Sequence, residues 1–247
     1  MTTDVVQKPT IDPESRPNAS ISWRTRCIQL LMVLISALFF AIMMEWAGMY
    51  FDLFDQNGVA HSQAMFNTEI NYLNDDFTHS LLQSHPVIFV RQVSDWSFHW
   101  LFEYTGIVDG LQWLKATPSQ FDSKSRLFIH ELYLPLEAYA LAGIVTVQTF
   151  FVRLSILILA SPAYFLFGMV GLANGLAERD IRRWSGGRET AYQYHMAKRA
   201  LPKLFFGGCL LYLSMPFSIH PNAVILPFSI AVGFALNIMM SKFKKYL

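Results

Sequence analysis

The run CIQLLMVLISALFFAIMMEWAGMY, from Cys27 to Tyr50, contains a single charged residue, Glu45. A helix needs about 20 apolar residues to cross the hydrocarbon of a bilayer, and inside lipid every backbone N–H and C=O must be satisfied within the protein. Such a run leaves few folds open, and the rest of the chain repeats the pattern. Further apolar blocks lie at 136–175, 204–219 and 223–240. Arg153 and Pro162 interrupt the first of these, and His220-Pro221-Asn222 separates the last two with a proline that forbids a continuing regular helix. Only 15% of the residues are charged, against about 25% in a soluble domain, so the composition is that of a membrane protein.

The expected fold class is all-α, a polytopic membrane protein with four transmembrane helices, a helical extracytoplasmic loop and a basic cytoplasmic helical hairpin. Its divisions are a polar tail 1–26, transmembrane helix 27–50, a helical periplasmic region 51–135, transmembrane helix 136–175, a basic loop 176–203, transmembrane helices 204–219 and 223–240, and a basic tail 241–247. The polar start with Pro9, Pro13 and Pro17 is longer than the charged start of a signal peptide, and no small-residue cleavage motif follows the apolar core. An uncleaved anchor is expected.

Lysine and arginine set the orientation, because cytoplasmic loops carry an excess of them. The tail has Lys8, Arg16, Arg24 and Arg26, the loop after the second span has Arg179, Arg182, Arg183, Arg188, Lys198, Arg199 and Lys203, and the end has Lys242, Lys244 and Lys245. Residues 48–135 offer only Arg91, Lys115, Lys124 and Arg126 against ten acidic residues. Both termini and the basic loop are therefore expected in the cytoplasm, with 51–135 outside it.

Helical periodicity marks two stripes in the outer region. Phe66, Ile70, Leu73, Phe77 and Leu81 form one, and Phe89, Val93, Trp96, Trp100, Tyr104, Ile107, Leu111 and Leu114 form a broader aromatic one. The aromatic stripe suits a small helical core, a membrane interface or a partner surface, with core or interface expected first. Pro86 and Pro118 punctuate the region, and a helix from Ser123 onward is expected to run into the second span.

No catalytic constellation is present in the sequence. His130-Glu131-Leu132 lacks the second histidine that a zinc-peptidase helix places four residues on. Ser185-Gly186-Gly187 has no strand before it, and His61, His79, His85, His99 and His130 have no ligand-like spacing. Cys27 and Cys209 lack a CxxC arrangement and are expected as packing residues. Enzymatic activity, cofactors and metal are not expected. Ionisable groups near hydrocarbon are costly to bury, which singles out Glu45, Glu137 and Arg153. A channel or transporter protomer built on these three is the alternative function. Gly168, Gly171 and Gly175, with Gly207 and Gly208, have the spacing that allows membrane helices to approach closely.

The most polar stretch, GLAERDIRRWSGGRETAYQYHMAKRA, resembles the most recognisable segment of the integrating conjugative element membrane protein family. The matching elements are Gly175-Leu176, Arg179-Asp180, Arg182-Arg183, Gly186 to Glu189, and Tyr194 to Arg199. The resemblance implies a bacterial inner-membrane protein of a conjugative DNA-transfer system related to type IV secretion, associated with the coupling ATPase. No catalytic residues come with it. The expected partner- or lipid-binding residues are Arg179, Arg182, Arg183, Gly186, Gly187, Arg188, Glu189, Tyr194, His195, Lys198 and Arg199, facing conjugation subunits and anionic lipid headgroups. Direct nucleic-acid contact is the weaker expectation, because Glu178, Asp180 and Glu189 dilute the basic charge.

Overall fold

A computed structural model describes residues 23–54, 58–76, 85–117, 124–185 and 191–243. Among the described residues every regular element is helical: α1 (Trp23–Tyr50), α2 (Val59–Asp76), α3 (Pro86–Phe98, continued by a π-helical turn His99–Glu103), α4 (Ile107–Lys115), α5 (Lys124–Tyr133, followed by a 3-10 turn Leu134–Leu136), α6 (Glu137–Leu159), α7 (Ser161–Ser185), α8 (Ala191–Ser214) and α9 (Pro221–Ser241). The chain divides into two units between Ile35 and Ser36, inside α1. The first contributes the opening turns of that helix, and the following description concerns the second.

Three stretches are long and apolar enough to cross a membrane: Trp23–Tyr50, part of Lys124–Ser185, and Pro221–Ser241. The fourth expected span, 204–219, falls in α8, which is not among them. Lys198, Arg199 and Lys203 occupy the middle of that helix, and the apolar part that follows is short before the helix ends at Ser214.

Helix α6 is the centre of the second unit. Its buried residues, from Ala142 and Gly143 through Val152, Arg153 and Ile156 to Leu159, lie on almost every side, as expected of a helix enclosed by others. α2 and α3 pack along it. α2 presents Ser62, Met65, Glu69 and Leu73, at steps of three and four, and α3 presents Pro86, Val90, Ser94 and Ser97. The aromatic stripe is divided: Phe89 packs against the core, while Trp96, Trp100 and Tyr104 are exposed, because α3 meets α6 through Pro86, Val90, Ser94 and Ser97. Cys27 is also exposed and Cys209 half-buried, so packing is the role of the second at most.

The expected helix over 136–175 is broken at Ala160. Pro162 has no N–H to give, so it sits in the first turn of a new helix, where that donor would be orphaned anyway. Beyond the break, α9 packs against both α7 and α8, and Tyr164 of α7 meets Phe205 of α8 edge to face, so the three make a small bundle centred on α9. Gly171 lies against Gly233 and Gly175 against Asn237, with numbers rising together, so α7 and α9 run parallel. Gly208 against Phe228 and Tyr194 against Phe243 show α8 antiparallel to α9.

The glycine spacing has its expected use here. A Cβ at Gly171 would overlap the carbonyl of Gly233, and one at Gly175 would stand 2.6 Å from the carbonyl of Asn237. Backbone cannot yield as a side chain can, so the α7–α9 contact exists only without those Cβ atoms. Gly207, by contrast, faces open space. Thermal unfolding in detergent is expected to show Gly171→Leu losing about 3 kcal/mol, and Gly207→Ala gaining roughly 0.5–1 kcal/mol from helix propensity. Equal effects at the two positions would contradict the packing.

Candidate functional site

The described residues singled out in the polar stretch gather at one end of the bundle, where the last turns of α7 and the first turns of α8 lie beside the end of α9. Four of them, Gly186, Gly187, Arg188 and Glu189, lie outside the described residues. Arg182 donates to the carbonyl of Ser241, the last residue of α9, where unsatisfied carbonyls and the negative helix end favour a cation. Arg182 is thus a clasp between α7 and α9. Arg179 is half-buried beside Asp180, at 3.7 Å, with its Nε lacking a partner. Tyr194 packs its ring on Phe243 at 5.9 Å and carries the Lys198 ammonium 5.9 Å from its centroid. Arg183, His195, Lys198 and Arg199 are exposed. Beside them Trp184 is 92% exposed, with Ile181, Tyr192 and Met196 also open. This end offers cations and amphipathic rings together, a surface suited to anionic groups with apolar neighbours.

Arg153 is the second centre. It is 2% exposed, and all five of its N–H groups are engaged. Nε and Nη2 meet Glu69 Oε1 at 2.9 and 2.7 Å. Nη1 donates to the carbonyls of Tyr212 and Met215 at 3.3 and 2.5 Å, and Nη2 to that of Phe217 at 2.8 Å. Glu69, fully buried, accepts on its other oxygen from the Tyr212 hydroxyl at 2.8 Å. One guanidinium therefore neutralises a carboxylate from α2 and caps the carbonyl end of α8. Sequence reasoning found Arg153 and missed Glu69 and Tyr212. The available signal was the spacing of Glu69 four residues from both Met65 and Leu73, a phase that only the structure shows to be the buried one.

Glu45 is also fully buried. Its Oε1 receives His61 Nδ1 at 2.9 Å and the Ser62 hydroxyl at 2.8 Å, and His61 stacks on Phe54 with centroids 3.7 Å apart. Glu137 pairs with Lys115 at 2.7 Å across α4 and α6. Its carboxylate, by hydrogen bond and then by charge, raises the Lys115 ammonium above its ordinary value. A raised lysine contributes stability that is present below its unfolded value and lost as pH rises through the folded one, so this tie is intact at neutral pH. Glu45, Glu137 and Arg153 each have a partner of their own. Among the described residues no three His, Cys, Asp or Glu side chains are grouped to hold a metal ion.

Comparison with known proteins gives one family. The model described as IncC plasmid conjugative DNA transfer protein DtrJ-like matches residues 53–244, taking in both centres. No curated protein and no solved structure matches the chain. The expected association with conjugative DNA transfer is supported at the level of this family, which is described from a plasmid.

Removing one partner of a buried pair strands the other. Arg153→Met is expected to cost about 3–5 kcal/mol, and more than Glu69→Gln, because it also frees three carbonyls at the end of α8. The double replacement Glu69→Met with Arg153→Met is expected to lose less than the sum of the single changes. Thermal unfolding of the four proteins checks this, and additive losses would show that the pair is not coupled.

Proposed function

This chain belongs to the DtrJ-like family of IncC plasmid conjugative DNA transfer proteins, and from that premise we propose that it is a non-enzymatic inner-membrane assembly or adaptor subunit of a type IV secretion-like conjugation apparatus, on a plasmid or an integrating element. In this reading α1, the α6–α7 stretch, the apolar part of α8 and α9 are the four spans, and both termini are cytoplasmic. The basic end of α7 and α8 then faces the cytoplasm, consistent with the excess of lysine and arginine there.

The observation that carries the proposal is the outward set Arg183, Trp184, Lys198 and Arg199. An acidic patch on the coupling ATPase is the proposed docking partner, with anionic headgroups supporting the same surface. The set contains no nucleophile paired with a base, and it needs no cofactor. Arg182 has a different part, holding α7 to α9, so a test of docking leaves it unchanged.

Charge reversal at Arg183, Lys198 and Arg199 together is expected to lower conjugative transfer at least about tenfold, since each reversed charge at an interface costs on the order of 1 kcal/mol or more. Membrane insertion and protein level should persist. Transfer at the wild-type rate, with the triple variant present in the membrane at normal amounts, would remove this surface from the mechanism.

A further inference from the structure

Between α1, α2, α6 and the end of α8 lies a cavity of about 10 Å³. Its walls include Glu45, Thr146, Thr149, Arg153, Leu213 and Met215. A space of this size holds one particle about as large as a water molecule. Among the described residues, it borders the one buried carboxylate that is only half satisfied. Glu45 spends Oε1 on His61 and Ser62, and Oε2 has no hydrogen-bond partner.

The walls are unusual in having acceptors and no free donors. Thr146 gives its hydroxyl proton to the carbonyl of Ala142 at 2.8 Å, and Thr149 gives its own to that of Val145 at 2.9 Å. Both hydroxyls therefore turn lone pairs outward. Arg153 has no N–H left, since Glu69 and the carbonyls of Tyr212, Met215 and Phe217 take all five. Leu213 and Met215 bring the carbonyl end of α8, the negative end of its dipole. Of the two buried carboxylates here, Glu69 has the Arg153 guanidinium and Glu45 has the ring of His61 at 2.9 Å, so with that ring neutral Glu45 keeps its negative charge.

From this arrangement we infer that the cavity is a site for one dehydrated monovalent cation of sodium size, bound by Glu45 Oε2 and the hydroxyl oxygens of Thr146 and Thr149 at the carbonyl end of α8. Carboxylate, hydroxyl and helix-end oxygens are the donor set that such ions take inside membrane proteins. A divalent ion would call for more oxygens and more carboxylate charge than these walls supply. The bound ion joins α1 and α6 beside the end of α8, and so stabilises the contact of α1 with the central helix.

The test is thermal unfolding of the purified full-length protein in detergent, at constant ionic strength and at each of several pH values, with sodium chloride titrated against choline chloride. Sodium is expected to raise the unfolding temperature by about 3 °C at the top of the titration, the rise growing with the logarithm of its concentration as binding to the folded state alone would do. Glu45→Gln should abolish the sodium response. If that variant does not fold, Thr149→Val serves, requiring several-fold more sodium for the same rise while leaving the choline value within about a degree. Identical unfolding in sodium and choline would overturn the site. So would a wild-type response to pH that is the same in both salts, which would make the occupant a proton, and so would a sodium effect that survives both substitutions.

Discussion

A single arginine sets the arrangement of the second unit. Arg153 sits on the central helix with no access to water, and a buried guanidinium is tolerable only with a carboxylate and a full set of acceptors. Glu69 supplies the charge from α2, and the carbonyls after Tyr212 supply the rest from the end of α8. The geometry of that one side chain fixes three elements that are far apart in sequence. The turn between α8 and α9 is held against α6, and the outer helix α2 is held against both. Hydrophobic contact of Leu73, Val152, Ile156 and Tyr212 surrounds the polar centre and excludes the water that would weaken it.

From that anchor the chain extends in two ways. Toward the outer helices, α3 packs on α6 through serines and leaves Trp96, Trp100 and Tyr104 outside. Along the bundle, glycines bring α7 and α9 to backbone contact, and Arg182 closes the far end on the last carbonyl of α9. The bundle therefore delivers Arg183, Trp184, Lys198 and Arg199 to a common end as fixed features of two helices. A rigid cationic surface of this kind suits a subunit that holds other components of a transfer apparatus in place, which is the role proposed for this member of the DtrJ-like family.

Much of this was legible in the residues. The apolar runs gave helices where helices occur, the proline at 221 gave the turn before α9, and the glycine spacing of α7 gave its close contact. The resemblance of the polar stretch pointed to conjugative transfer, which the family match over 53–244 supports. Other features depended on tertiary partners that periodicity does not encode. The broad aromatic stripe from α3 onward left core, membrane interface and partner surface open, because periodicity does not show that α3 meets α6 through Pro86, Val90, Ser94 and Ser97 instead. Glu69 was hidden because a carboxylate in an apolar phase has meaning only once its arginine, 84 residues away, is known. Arg182 was grouped with the exposed basic residues, since sequence alone does not show that Ser241 ends beside it.

The most direct test of the central claim is photocrosslinking from the position of Trp184. A benzophenone amino acid placed there in cells undergoing transfer, followed by mass spectrometry of the adducts, reads what this end of the bundle touches. The account predicts a crosslink to a protein of the conjugation apparatus, weakened when Arg183, Lys198 and Arg199 carry reversed charge. Adducts to lipid alone, or to no subunit of that apparatus, would contradict it.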